Sequence, residues 1–529
     1  VVWSLQSTVA KFDYGPEQVG ERMRKSTPAS AMRKAIVAGV LGLTTLLPVG
    51  AQASSVLELL GAPTGHGFFG IRTIGSNSAV TYFNPALLVD AKRSLDLSFM
   101  AVGTQLSIQR SPKPAATDVA DSIYHILVFD DGTQVPLTMP PLASDDLIPR
   151  TDPVGEDVRP YLSLGLVRKF MDSRFALGIY ALLPATNIQV QRASFTDERE
   201  QYFSNRLHHE LYGDRLLMTS VCFGLGARIM PWLAVGVGAS MEMHTRASTP
   251  VYVPDGLDQS HVLLNSDISV ENGVTPYLGI AATPTPQTRV GLTWHAPTEN
   301  PLKGSNELML WNYPYPAGED TIVQEYQFTY GYEPQRIGIG LAWDQTKKTG
   351  TGLVIGAEGL YARWSQYRNR HGEAGNPIGS TEPDNWRDIF SGTVIVQYHS
   401  PDISGGVSLG YIPSPVLSQD GRTNYVDNAR VRMGGGIEFR SSWVGMPVSV
   451  GLQFQVHHLL ERSVTKVDAE IKDEFPDHDP ENGVTVLDAT NPTEAVEDGL
   501  GLQTNNPGYP GFTSNGWVFG AGLSLSMWH

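Results

Sequence analysis

Apolar and polar residues alternate one for one along much of this chain. Val448, Val450, Leu452, Phe454 and Val456 alternate with Ser449, Gly451, Gln453, Gln455 and His457. Ile337, Ile339, Leu341 and Trp343 alternate with Arg336, Gly338, Gly340, Ala342 and Asp344. Leu233 to Met243 and Trp517 to Leu525 repeat the pattern against Gly, Ala, Ser and charged residues. A period of two puts one class of residue on each face of a strand, so the chain reads as all-β.

Two architectures produce such strands. A soluble sandwich buries its apolar face against a second sheet, whereas a membrane barrel turns that face to lipid and its polar face to a lumen. The segments run about 9–12 residues, longer than the soluble mean of about 5–6. Tryptophans stand near segment ends (Trp232, Trp294, Trp311, Trp343, Trp364, Trp443, Trp517 and Trp528), as an interfacial girdle requires. The chain also ends on a strand, which closes a sheet that lipid would not tolerate with a free edge. The expectation is a transmembrane antiparallel β-barrel over residues 94–529, with about thirteen to fifteen strands. Short turns should alternate with long polar insertions near 111–158, 191–214, 246–272, 297–333, 365–388 and 461–515.

The first 93 residues do not alternate. Arg33 and Lys34, an apolar run over 35–49 and Ala51-Gln52-Ala53 make the basic start, apolar middle and small-x-small end of a secretory signal over 32–53. Residues 1–31 then read as an over-extended N-terminus. Residues 54–93 read as a hatch, or plug, inside the lumen. Phe68, Phe69, Ile71, Ile74, Val80, Tyr82, Phe83, Leu87 and Leu88 are too many apolar groups for a solvated tail.

Composition narrows the function. Residues 1–53 carry six basic and three acidic groups, so their removal takes the formal charge from −16 to −19. That excess of acid excludes nucleic acid as a partner. One cysteine, Cys222, excludes a disulfide framework or a multi-thiolate metal site. No P-loop or H-E-x-x-H motif occurs, and the G-x-S-x-G letters of Gly406-Val407-Ser408-Leu409-Gly410 sit in an alternating segment rather than at an elbow, so neither an enzyme nor a cofactor is expected. A hydrolase on a barrel would need a Ser/His pair on adjacent strands near the rim. His208-His209 and His457-His458 point to opposite faces if they lie in strands, so no metal site is expected. The stretch 468–499 holds eleven acids and one lysine. It lacks an EF-hand loop and reads as a solvated acidic loop rather than a Ca²⁺ site.

SNSAVTYFNPALL (76–88) follows a Gly-rich stretch and precedes the barrel. ALGIYALLP (176–184), TRVGLTWHAPTENPLKG (288–304), YEPQRIGIGLAWD (332–344), GLYARWSQY (359–367), NWRDIF (385–390) and VSLGYIPSPV (407–416) come after it. In this order the chain resembles the outer-membrane long-chain fatty-acid transporter family (FadL/TodX-like) over nearly all of residues 54–529. The resemblance implies fourteen strands, a hatch, and passive uptake of fatty acids or other hydrophobic molecules. Ligand would be captured among extracellular loops, pass an inner pocket and leave sideways into the bilayer. It also implies the outer membrane of a Gram-negative-type bacterium, contact with outer-membrane lipid and the barrel-assembly machinery, and a monomer. The chain ends Met527-Trp528-His529, whereas an aromatic residue usually stands last in the family.

Candidate residues follow. Phe83, Asn84, Pro85 and Ala86 match the hatch signature and are candidates for gating. Phe195, Tyr202, Phe203, Leu207 and Leu211 approximate a helical stripe in insertion 191–214 that would gather apolar ligands, with Phe68 and Phe69 below. Arg199 and Arg206 are candidates for a carboxylate headgroup. Glu242, Arg289, Arg336 and Asp344 are expected to face the lumen, since lipid penalises charge. A surface-binding protein with a sealed lumen, or an outer-membrane hydrolase, would use the same fold.

Overall fold

The outward faces of the strands explain the alternation. In the third quarter of the chain, Ile339 and Leu341 are 55% and 56% exposed, while Arg336 and Ala342 between their neighbours are buried. Phe454 is 62% exposed, and Gln453, Gln455 and His457 beside it are buried. Exposed Leu, Ile, Val and Phe recur at every second position around the molecule. An apolar belt of that extent is incompatible with water and fits hydrocarbon.

The structure is a computed structural model. It describes residues 55–65, 67–111, 124–129, 134–138, 150–185, 207–209, 211–212, 216, 219–243, 247–255, 259–270, 274–310, 320–367, 386–420, 425–443, 445–466, 478–479, 484–488, 508 and 510–528. Its sheet is a closed barrel of fourteen strands. They are β1 (Ser94–Arg110), β2 (Arg150–Phe170), β3 (Phe175–Pro184), β4 (Thr219–Met230), β5 (Leu233–Met243), β6 (Val274–Thr285) and β7 (Thr288–His295). The second half comprises β8 (Arg336–Asp344), β9 (Gly352–Ala362), β10 (Ile389–His399), β11 (Ile403–Ile412), β12 (Arg430–Trp443), β13 (Met446–Thr465) and β14 (Gly511–Trp528). Each strand pairs antiparallel with its sequence neighbours, and β1 closes on β14 from Ser94↔Trp528 to Arg110↔Phe512. The ladder therefore has no free edge, which is what a bilayer demands. The molecule is a transmembrane β-barrel, and among the described residues no helix is long and apolar enough to cross a membrane.

The connections divide by length. Tight turns such as 171–174, 231–232 and 286–287 lie at one end, together with the start of β1 and the end of β14. The long connections lie at the other end. Four of these insertions carry paired strands of their own. Ala247–Asp255, Gln259–Val270, Thr298–Leu310 and Asp320–Glu333 pair into a four-stranded sheet that links the β5–β6 and β7–β8 connections. Inside the acidic stretch, Val484–Asp488 pairs with Tyr124–Phe129 from the β1–β2 connection. Insertion boundaries also shift: β2 begins at Arg150, and β13 and β14 extend through 461–465 and 511–515.

The tryptophan girdle is partly corrected. Trp232, Trp343, Trp443 and Trp517 are exposed on the outside. Trp364 instead packs inside an aromatic cluster, and Trp528 borders a cavity at the tight-turn end, under the Lys92 ammonium at 3.5 Å. Burial of the apolar segment 55–93 draws the core inside the barrel. Leu57, Leu60, Phe68, Leu87 and Leu88 pack there with Tyr161, Tyr180 and Tyr277 of the wall.

Candidate functional site

Residues 55–93 form four short turns of helix, too small to be stable alone and held by the wall around them. These are α1 (Ser55–Leu60), α2 (Ile71–Ile74), α3 (Val80–Phe83) and a 3₁₀ turn, Pro85–Val89. Asn84 organises them. Its Oδ1 accepts from the Ala86 N–H at 3.2 Å and caps the 3₁₀ turn, while Pro85 at its start has no N–H to satisfy. Its Nδ2 donates to the Arg72 carbonyl at 2.7 Å and to the Ile280 carbonyl of β6 at 3.3 Å.

The wall beside this segment is stripped of side chains. A Cβ at Gly226 of β4 would lie 2.6 Å from the Pro85 carbonyl oxygen, and one at Gly291 of β7 would lie 2.8 Å from that of Arg72. At Gly236 and Gly279, on β5 and β6, it would collide with the Pro85–Ala86 peptide and the Asn84 side chain. Glycine alone permits backbone on backbone at this range. Polar contacts fix the rest. Gln453 and Gln455 of β13 donate to the carbonyls of Gly65 (2.6 Å) and Leu60 (2.9 Å). Asp96 of β1 accepts from the Ser78 N–H at 3.0 Å, and Asp90 pairs with Arg228 and, at 3.6 Å, with Arg289.

A charged layer joins α1 and α2 to the wall. Arg72 pairs with Glu58 at 2.5 Å, and the Tyr82 hydroxyl donates to the same carboxylate at 3.0 Å. Burial opposes charge on Glu58, but Arg72, then Arg336 and His295, outweigh it and hold the carboxyl at about 2. Arg336 pairs with Glu333, and Glu358 of β9 accepts from the Thr73 N–H at 2.8 Å. His295 stacks on Tyr277, with ring centroids 5.0 Å apart. Glu58, Arg72, Glu333, Arg336 and Glu358 border a cavity of about 80 Å³, which Arg430 and Arg432 of β12 also line. Its apolar wall includes Leu59, Leu211, Leu360, Ile389, Ile412 and Trp364. Trp364 belongs to a buried aromatic cluster with Tyr332, Tyr367, Trp386 and Tyr425, in which Tyr367 and Trp386 stack at 3.9 Å. The cavity thus offers both apolar and charged side chains to one small guest. A second, polar cavity of about 970 Å³ at the tight-turn end is bordered by Asp90, Lys92, Arg289, Asp344, His399 and Arg440.

The predicted residues distribute unevenly over these features. Phe83 lies 5.1 Å from the Arg72 guanidinium, and Pro85 and Ala86 lie on the glycine strip. Phe68 is fully buried; Phe69 packs under Arg432 at 4.1 Å, and neither is part of the cavity wall. Leu211 lines the cavity, but Leu207 packs elsewhere, with Ile108, Val426 and Phe512. His208–His209 pairs in parallel with Tyr425–Val426, so the predicted helical stripe does not run on to Leu211: strand pairing replaces it. Phe195, Arg199, Tyr202, Phe203 and Arg206 lie outside the described residues, as do the side chain of Glu242 and the signal-like residues 32–53. Arg336 sits in the charged layer and Arg289 on Asp90. Asp344 is at the strand end rather than in mid-lumen, accepting from the Thr346 N–H at 2.9 Å to start α4 (Thr346–Thr349).

Sequence reasoning missed Glu58, Arg72, Glu358, Arg430 and Arg432. The last two carried a signal, since alternation places both on one face of β12. His457 faces inward on Gln455 and His458 outward on Trp517, at 2.8 Å and 4.1 Å, so this pair splits across the sheet. Among the described residues, no three His, Cys, Asp or Glu side chains are grouped to hold a metal. The Ser/His contact that a hydrolase would need does occur: Ser404 Oγ lies 3.0 Å from His399 Nδ1, with Gln397 3.2 Å from Nε2. Ser404 is fully buried and the third group is an amide, so the contact braces the β10–β11 hairpin.

Fold and site together define a transmembrane barrel with its N-terminal segment folded inside and a mixed charged and apolar cavity beside it. The chain is similar to the crystal structure of a Pseudomonas aeruginosa FadL homologue, with 14% identity and a TM-score of 0.50 over 91% of this chain and 98% of that one. It is also similar, at 12% identity, to the CymD monoaromatic hydrocarbon channel (TM-score 0.40, 89% and 99%). For the Pseudomonas putida toluene transporter TodX the values are 12% identity, TM-score 0.41, and 88% and 99%. No family model and no curated protein matches. The resemblance carried by the motifs is therefore met at the level of the fold.

Proposed function

We propose that the chain is a passive outer-membrane channel for fatty acids or other hydrophobic molecules, in a Gram-negative-type bacterium. It acts as a monomer, inserted by the barrel-assembly machinery. The observation that carries this reading is the cavity of about 80 Å³ between the inward-folded segment 55–93 and the wall, lined by apolar and charged side chains together. A porin for small hydrophilic solutes needs an open aqueous lumen instead. Residues 55–93 serve as the hatch, and Phe83 to Ala86 are its gating contacts. Ligand enters from the end with long connections. Each methylene removed from water contributes about 0.8 kcal/mol, so partition alone drives entry.

Every neighbouring strand pair is hydrogen-bonded, so sideways release requires local opening of the wall. The register shift between Thr104 and Leu106, where β1 meets β2, is a point at which the ladder is already interrupted. That closed ladder equally favours the second reading, a surface-binding protein with a sealed lumen. Uptake separates the two. Cells with the protein should take up labelled long-chain fatty acid, or a labelled small aromatic hydrocarbon, faster than cells without it. If neither probe depends on the protein at normal surface levels, the channel reading fails.

A further inference from the structure

The neighbouring strands β13, β14 and β1 have 20, 18 and 17 residues, where about 9–11 suffice to cross a bilayer. Their outward residues line up in rows across the three strands. Towards the tight turns the rows are apolar: Leu97, Leu525 and Val450 share one, and Phe99, Leu523 and Leu452 the next. The character changes at the row of Gln105, Trp517 and His458. Ser107 and Asn515 come next towards the long connections, and the Asn515 amide donates to Glu461 at 3.3 Å, where β13 is bulged. Gln109, Thr513 and Ser463 follow, with 3.1 Å between the Thr513 and Ser463 hydroxyls. All nine of these side chains are exposed or half-buried. They include one acid, Glu461, and no Lys or Arg.

Leu95 to Gln105 spans about 34 Å along a strand, which is about 25 Å across a bilayer at the usual tilt. That is the height of an apolar band, so the row of Gln105, Trp517 and His458 stands at its outer edge. The row of Gln109 lies about 10 Å beyond that edge by the same conversion. A phospholipid headgroup layer is only about 5–7 Å deep on each side. The polar rows therefore continue the lipid-facing surface past the reach of such a headgroup. Side-chain amides both donate and accept, as sugar hydroxyls do, whereas phosphate is met by Arg or Lys, which these rows lack. We infer that this face of β13, β14 and β1 docks the sugar units of glycolipid headgroups in the outer leaflet, while the apolar rows below meet their acyl chains. Gln105, Gln109 and Asn515 are its principal hydrogen-bonding groups. The inference rests on the outer-membrane placement in the proposed reading and not on transport.

Binding to the purified full-length barrel tests this, in a polyoxyethylene detergent, which carries no sugar. The probes are a lipopolysaccharide with its core oligosaccharide, the phosphorylated lipid A anchor alone, and the free oligosaccharide. The complete glycolipid should bind about tenfold tighter than lipid A, since a few hydrogen bonds supply that factor, and far tighter than the free oligosaccharide. Gln105→Ala, Gln109→Ala and Asn515→Ala together should erase the preference and leave lipid A within about twofold. Equal affinity of the wild type for the two lipids overturns the proposal without any variant. A triple variant that is folded and keeps the preference overturns it too, because the sugars then dock elsewhere. Free oligosaccharide that binds as tightly as the glycolipid removes the lipid from the docking and overturns it as well. A barrel that shows the preference and its loss in the variant, but imports no fatty acid, upholds this surface and removes only the channel reading.

Discussion

At the scale of single residues, Arg72 is the side chain on which most depends. It neutralises Glu58, lends its carbonyl to Asn84 and borders the cavity. Arg72→Met should cost about 3–5 kcal/mol, because it leaves a buried carboxylate unpaired. Chemical denaturation of the refolded barrel, with Arg72→Lys as a milder control, measures the loss. The same pair predicts a pH response. Glu58 is held at about 2, below its ordinary 4.5, so its contribution is complete above about pH 4.5 and disappears as pH falls towards 2. Proteolytic access to residues 55–93 should rise over that interval in the wild type and show no such step in Glu58→Gln. Asn84-Pro85-Ala86 was legible in the sequence because a cap and a proline act on their own neighbours. Glu58 and Arg72 were not, since fourteen residues separate them and only the wall brings them together.

At the scale of elements, the strands were legible and their extensions were not. Alternation marks a strand with unlike faces, as in β8 and β13. The strands 247–255, 259–270, 298–310 and 320–333 sit in polar insertions, where that contrast is weak. The inward glycines were legible as a pattern, but their purpose emerged only with the segment that lies on them. Gly236→Leu should push 78–89 off the wall while β5 still closes the sheet. The heat-shifted band of a folded barrel should persist on a gel, and the segment should become protease-sensitive. Continued protection would contradict the close approach proposed for it. Pro85→Leu, which frees the 3₁₀ turn, should lower uptake of long-chain fatty acid at unchanged surface level. Normal uptake would remove these residues from gating.

At the scale of the whole molecule, a mean hydropathy of −0.15 hides a membrane protein, because the lipid-facing half is spread over every second residue. Acidic residues concentrate in stretches such as 468–499, outside the barrel strands. The closed topology and the burial of 55–93 make one continuous core inside a belt exposed to lipid. Passive conduction through that interior is the central claim. The most direct test is the initial rate of labelled long-chain fatty acid uptake, measured across a series of surface levels of the protein in cells depleted of ATP and treated with a protonophore. A rate that rises in proportion to the amount of protein, with no energy source, is the predicted result. A rate independent of the amount of folded protein at the surface would contradict it.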